Sequence, residues 1–303
     1  MSGNFRENNF IHWIHEHAPK SSTALVPNGD DAALLAAHHR GTLVATDMLL
    51  DGTHFISSEI DPGLIGRKAV AVNLSDIAAM GGVPESLFIS LALPRGMSSD
   101  VIQKIMTGAA DLAKEFNCGI DGGDTNTWSG RLAINVCVTG RPHWRGAVTR
   151  TGAQAGDVVM VSGLKLGGSL ASGRHLTFTP RVREAAWLMD HFNLHSMMDL
   201  SDGLAADVPR LATASNKQII LDAAKIIPAS FSEDCLTSAL CDGEDFELLF
   251  TCDESSATRI EREFPWPCGV RRIGTVTQGT GVLLRHPDRS TPEPLRVHGY
   301  EHK

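Results

Sequence analysis

Residues Leu64–Pro84, LIGRKAVAVNLSDIAAMGGVP, decide how the rest of the chain is read. Ala69, Val72, Asn73, Asp76, Ala79 and Met80 recur every three or four positions, so the spacing predicts one helix with these side chains on a common face. Gly81-Gly82 ends that helix and Pro84 prevents its resumption. The shared face is apolar except for Asn73 and Asp76. A carboxylate on a buried helix face is costly unless a cation or hydrogen bonds offset it. Asp76 therefore either closes a buried hydrogen bond or meets a cation.

Acids also stand in small-residue turns elsewhere: Gly29-Asp30-Asp31, Thr46-Asp47, Gly122-Gly123-Asp124, Asp199-Leu200-Ser201-Asp202-Gly203 and Gly243-Glu244-Asp245. Such turns can be simple turn chemistry. They also supply the oxygen ligands that hard divalent cations take. The expectation is that several of these acids converge on divalent cations, and that the cations hold polyphosphate.

The 303 residues suffice for two domains, and 42% hydrophobic with 20% charged residues is a globular composition. No apolar run reaches membrane-spanning length. The start, MSGNFRENNFIHWIHEH, lacks a secretory pattern, so a cytoplasmic location is expected. His12, His15 and His17 within it do not repeat a zinc-site spacing. None of the six cysteines are spaced as a zinc or redox motif, and reduced thiols are expected. The formal charge of −8 and the absence of a Lys/Arg run exclude nucleic acid as the main partner. An acidic chain can still take an anionic substrate where divalent metals mediate.

In chain order, residues 5–17 read as an amphipathic helix and 42–47 as a strand running into Asp51-Gly52-Thr53-His54-Phe55. A second strand covers 86–93. A helix covers 100–117, capped by Ser99 or Asp100. Asp121-Gly122-Gly123-Asp124-Thr125 reads as a glycine turn presenting N–H groups, and 132–139 as the partner strand. This is an α+β pattern with a mostly antiparallel sheet. A seam at Arg141–Gly146 divides residues 1–147 from residues 148–303 as two expected domains.

Beyond the seam, Arg150 is either a phosphate fork or an exposed arginine. A strand follows at 158–162 and a helix at 181–192. Asp199 and Ser201 alternate along an extended stretch, and Asp202-Gly203 opens a helix whose first N–H groups favour an anion, with Ser201 or Asp202 as its cap. After Gly243, a strand is expected in which Phe246, Leu248 and Phe250 alternate with an exposed Glu247. Glu244 is the better ligand. Neither a Walker loop nor a dinucleotide fingerprint is present.

Taken in order, GDDAALL, ATDMLLDGTHF, AVNLSDIAAMGGVP, DGGDT, TRTGAQAGD, MDLSDGLAAD and GEDFELLF resemble the thiamine-monophosphate kinases of the aminoimidazole-ribonucleotide synthetase-like superfamily. The resemblance implies a two-domain α/β architecture, with residues 1–147 binding metal and ATP and dimerising through their sheet, and residues 148–303 completing the nucleotide and substrate site. It implies transfer of the ATP γ-phosphoryl group to thiamine monophosphate, with several Mg2+ ions. Metal ligands would fall on Asp31, Thr46, Asp47, Asp76, Asp124, Asp199 and Asp202. Nucleotide contacts would fall on Gly123, Asp124, Arg150 and Ser201, and thiamine phosphate contacts on His54, Glu244 and Tyr300. Asp76, Asp124 and Arg150 would carry the chemistry. Departures are Ala45 where some relatives have Ser, Phe246 in place of a common Tyr, and a shortened Gly163–His175 region over the substrate.

The rivals are sister reactions and a non-catalytic nucleotide- or metal-binding regulator. Against the sisters, the first cysteine is only Cys118, where selenophosphate synthetases carry a reactive one near the N-terminus. The chain also ends Glu301-His302-Lys303, without the terminal Cys of the hydrogenase-maturation proteins.

Overall fold

A computed structural model describes residues 13–14, 16–26, 34–229, 235–296 and 299. Two compact units emerge, Met1–Ile77 with Gly82–Pro142, and Ala78–Gly81 with His143–Lys303. The division falls inside the Arg141–Gly146 stretch.

In the first unit, β1 (Ala24–Val26) pairs with β2 (Leu34–Leu35). A four-stranded sheet holds β3 (Leu43–Leu50), β4 (Val83–Pro94), β5 (Gly119–Trp128) and β6 (Ala133–Arg141) in the order β3-β6-β4-β5. Its pairs are antiparallel except β4–β5, which a crossover helix must join. That helix is α2 (Ser99–Glu115), capped by Ser98 rather than by the expected Ser99 or Asp100. Burial alternates along β6, where Ile134, Val136 and Val138 are covered. On β3 the alternate set Val44, Thr46, Met48 and Leu50 is exposed, so one face of the sheet is open. DGGDT is not the expected turn: it lies within β5.

The decisive stretch forms α1 (Pro62–Ala79), closed by Gly81 at φ +66° with Gly81 and Gly82 donating back to Ala78 and Ile77. The expected single apolar face is an underestimate. Ile65, Val70, Ala71, Leu74, Ile77 and Ala78 are buried too, so α1 is enclosed almost all round. Small residues permit this. A Cβ on Gly66 would lie 1.7 Å from the Ile105 carbonyl oxygen, and one on Gly108 1.9 Å from that of Gly63. The α1 and α2 backbones therefore touch.

The second unit is built on a seven-stranded sheet. Its strands are β7 (Val158–Ser162), β8 (Ser196–Asp199), β9 (Gln218–Asp222), β10 (Leu248–Cys252), β11 (Val270–Thr277), β12 (Gly281–Arg285) and β13 (Glu293–Pro294). The order is β13-β12-β9-β11-β7-β10-β8, with only β9–β12 parallel. The helices are α3 (Ser169–Ser172), α4 (Arg174–Thr177), α5 (Val182–His191), α6 (Leu204–Ser215), α7 (Cys235–Cys241) and α8 (Glu254–Glu263). Val159, Val161, Leu204, Val208, Leu211, Ile219, Leu249 and Ile273 form its core. Both units thus mix helices with antiparallel-rich sheets, the class expected. Among the described residues no helix is long and apolar enough to cross a membrane.

Candidate functional site

The first unit brings Asp47 and Asp76 together. Asp47 lies on β3, Asp76 near the end of α1, and their side chains are hydrogen-bonded to each other. Burial pushes the Asp47 pKa above the ordinary carboxylate range, and the hydrogen bond to Asp76 only partly offsets it. Two touching carboxyls resist double ionisation, so a proton or a cation must sit with them. Asn73, one turn before Asp76, is wholly buried. Its Nδ2 donates to the Ala69 carbonyl at 3.0 Å, and its Oδ1 has no hydrogen-bond partner among the described residues. A paired carboxyl beside an orphaned amide oxygen is an oxygen-rich donor set suited to a hard cation.

The sheet register sets the rest. Asp47 lies opposite Val136, Val136 opposite Ile89, and Ile89 opposite Gly123. Three strand spacings separate the ends of this row by about 14 Å. A single ion with bonds near 2 Å therefore cannot be shared by Asp47 and Asp124 across the flat of the sheet. Asp124 is exposed and held by its own strand, accepting from the Thr125 N–H and the Asn126 amide, both at 2.8 Å. Gly123 has a packing reason of its own: a Cβ there would lie 1.9 Å from the Ile89 carbonyl oxygen. The Thr46 hydroxyl donates to the Val136 carbonyl and lies on the exposed side of β3, so a ligand role for Thr46 falls to its main-chain carbonyl.

His54 sits in the tight loop after β3. Its Nδ1 accepts the Leu50 N–H at 3.0 Å, so the neutral ring carries its proton on Nε2.

In the second unit the turn after β8 packs against the Gly243–Glu247 strap. Glu244 N–H donates to the Ser201 carbonyl at 2.7 Å, and Phe246 N–H to that of Leu200 at 2.8 Å. Glu244 and Phe246 both have positive φ, +55° and +49°, an unfavourable conformation for such residues that marks a strained site. The Glu244 carboxylate lies 3.3 Å from His175 Nδ1. The cap expected from Ser201 or Asp202 is absent. Gly203 caps α6 without a side-chain bond, and Asp207 instead accepts the Asp202 N–H at 3.0 Å. Arg210 Nη1 lies 2.6 Å from both Asp202 and Asp207. Burial, with Asp199 and Asp202 nearby, pushes Asp207 up to about 7 despite Arg210. Asp199 is buried at the end of β8. Arg150 is exposed, and its carbonyl accepts the Ser215 hydroxyl.

The expected acids thus gather as a pair in one unit and a cluster in the other, with Asp124 apart. Among the described residues no three His, Cys, Asp or Glu side chains form a ready cation cage. Asp31 and Tyr300 lie outside the described residues.

Several residues that shape the site escape sequence reasoning. Glu247 is not exposed: the strand begins at Leu248, and Glu247 is buried, accepting from Arg181 Nε at 2.7 Å and from Ser162 at 2.6 Å. Asp245 accepts the Gly167 N–H and pairs with Arg174, tying the strap to the 163–175 region, and burial pushes it up to about 6. Only the Asp207–Arg210 pair carried a readable signal, its three-residue spacing on a helix.

Comparison with known proteins agrees with this architecture. AIR synthase related proteins match in both halves, by their N-terminal domain over residues 29–141 and their C-terminal domain over 154–287. A thiamine-monophosphate kinase of Rhodopirellula baltica is 36% identical, the alignment covering 92% of each chain. One of Escherichia coli K12 is 35% identical over 90% of each. The crystal structure of the thiamine-monophosphate kinase of Stenotrophomonas maltophilia K279a superposes with a TM-score of 0.78 at 31% identity, covering 91% of this chain and 94% of that one. A structure described as AaThiL complexed with AMPPCP and TMP gives 0.72 at 29% identity, covering 93% and 95%. Hydrogenase maturation protein HypE of E. coli reaches 0.80 at 19% identity, a likeness of fold alone. By matches that span both domains, the chain belongs to the AIR synthase related family and, within it, to the thiamine-monophosphate kinases.

Proposed function

We propose that the protein transfers the γ-phosphoryl group of ATP directly to thiamine monophosphate, giving thiamine diphosphate. The observation that carries the reading is the Asp47–Asp76 contact: a strand and a helix bring two carboxyls together where only a proton or cation can reconcile them. Relatives named for this kinase, and a structural neighbour described with an ATP analogue and TMP, support the substrates.

Asp47 and Asp76 would hold Mg2+, with the Asn73 amide oxygen beside them and Asp31 and the Thr46 carbonyl completing the set. Asp124, about 14 Å along the sheet, would serve a different ion. Within the second unit, Asp199 and Asp202 would also hold Mg2+, Asp202 first leaving Arg210. Bound Mg2+ would neutralise two mutually repelling phosphates and favour in-line displacement.

The remaining roles belong to the chain. Gly123, Ser201 and Arg150 would contact the nucleotide, with Arg150 meeting the transferring charge. His54 would donate from Nε2 to the thiamine phosphate. Glu244, held rigid by its strained backbone, and Tyr300 would contact the same substrate. The acceptor phosphate has a second pKa near 6, so it is largely ionised at neutral pH and needs no general base. The open face of the first sheet, with Val44 65% and Met48 55% exposed, would pair two copies into a homodimer.

The test is a coupled assay with ATP, Mg2+ and thiamine monophosphate. Formation of thiamine diphosphate is expected. ATP and metal binding without turnover would favour the regulatory alternative.

A further inference from the structure

Lys68 is a wholly buried lysine, 0% exposed, on α1. Burying an ammonium is unfavourable, and an apolar side chain of similar volume would pack α1 at least as well. Its retention calls for a task that an apolar residue cannot perform. The Nζ group donates to the main-chain carbonyl of His54 at 2.9 Å.

The loop that receives this bond is already closed by its own backbone. Gly52 N–H donates to Phe55, and the N–H groups of Thr53 and His54 donate to Leu50. Asp51 accepts from the Ser57 N–H and hydroxyl. Those bonds tie the loop on both sides of His54, through Leu50, Asp51 and Gly52 before it and Phe55 and Ser57 after it. The carbonyl of His54 belongs to the next peptide plane, which leads into buried Phe55, and Lys68 holds that plane. The ring is fixed separately, through the Leu50 N–H on Nδ1. An ammonium rooted in the most enclosed helix of the unit thus secures the backbone of a loop residue whose Nε2–H would face substrate.

We infer that Lys68 is a positioning residue for the acceptor substrate: by holding the His54 carbonyl it sets the placement of His54, and through it the affinity for thiamine monophosphate. The inference rests on the kinase reading and on the role of His54 in it. Misplacing a substrate contact by about an ångström is worth up to a hundredfold in rate or affinity.

The experiment is steady-state kinetics of Lys68→Met, Lys68→Arg, His54→Ala and the Lys68→Met/His54→Ala double variant. For Lys68→Met, KM for thiamine monophosphate should rise about ten- to a hundredfold while KM for ATP stays within about twofold. Lys68→Arg, which keeps a donor, should recover part of the loss. The double variant should be no worse than His54→Ala alone, because one residue acts through the other. Losses that multiply, or an unchanged KM in active Lys68→Met, would overturn the inference and leave the kinase reading standing. Failure of the unsubstituted protein to turn over thiamine monophosphate would overturn both. Should Lys68→Met not fold, 15N-lysine-labelled unsubstituted protein gives the answer. Thiamine monophosphate should shift the Lys68 ammonium resonance, and no shift would overturn the proposal.

Discussion

Asp47 and Asp76 are hydrogen-bonded side chain to side chain, and that contact makes the first prediction specific. Asp76→Asn should fold, since an amide can keep a hydrogen bond to Asp47, but should lose about a hundredfold or more in turnover if the carboxylate holds the metal that offsets the transferring charge. Near-normal kcat with native circular dichroism would remove Asp76 from the chemistry. Asp207 gives a pH prediction. Its pKa is raised in the fold to about 7 from an ordinary 3.8, so the folded state binds the proton more tightly than the unfolded chain. Its stabilising contribution is full below the unfolded value and is lost as pH rises through about 7. Asp245, at about 6, acts with the same sign slightly lower. Urea unfolding of metal-free protein should therefore show stability falling between about pH 4 and 7, by up to about 1.4 kcal/mol per pH unit for each proton released. Asp207→Asn should flatten the upper part of that slope. An unaltered slope would show that Asp207 titrates normally.

At the scale of elements, α1 matters because it is pinned on several sides. Its backbone meets α2 where Gly66 and Gly108 leave no room for a methyl group. Gly66→Ala must push the helices apart or strain them, at a cost of about 3 kcal/mol, and should lower the thermal midpoint by several degrees. Differential scanning calorimetry would read this, and an unchanged midpoint would mean that the helices separate freely. Displacing α1 also moves Asp76 and Lys68, so residual activity should fall further than stability alone explains. The Gly243–Glu247 strap is the counterpart in the second unit, bonded to Leu200 and Ser201, to Gly167 and to Arg181. Such over-determination is what lets two residues persist at positive φ.

For the whole molecule, the open sheet face of the first unit places Val44, Met48 and Leu50 in water, which a self-complementary partner would cover. Met48→Glu should convert a homodimer into monomers, as read by sedimentation equilibrium. A monomeric unsubstituted protein at micromolar concentration would contradict the pairing. Rapid-quench with γ-labelled ATP should leave no label on protein if transfer between the two phosphates is direct. Labelled protein would show a covalent intermediate and contradict direct transfer.

The helix within the Leu64–Pro84 stretch, its glycine stop, the mixed α/β class and the ordered motifs of the family were legible in the residues alone. These are local: periodicity and turn chemistry lie within a few residues of each other. The sequence misread DGGDT as a turn because two glycines outweigh strand signals when the neighbouring strand is unknown, whereas pairing with β4 makes the segment β5. It placed Glu247 in solvent because alternation says nothing about an arginine distant in sequence. Nothing in the local sequence marks Lys68: enclosure of α1 and the fold of the His54 loop put its ammonium on a carbonyl. Contacts between residues far apart in sequence depend on how elements pack, and periodicity cannot encode that. The tertiary structure alone therefore decided which acids meet, which are held apart by strand spacing, and which charges are buried against one another.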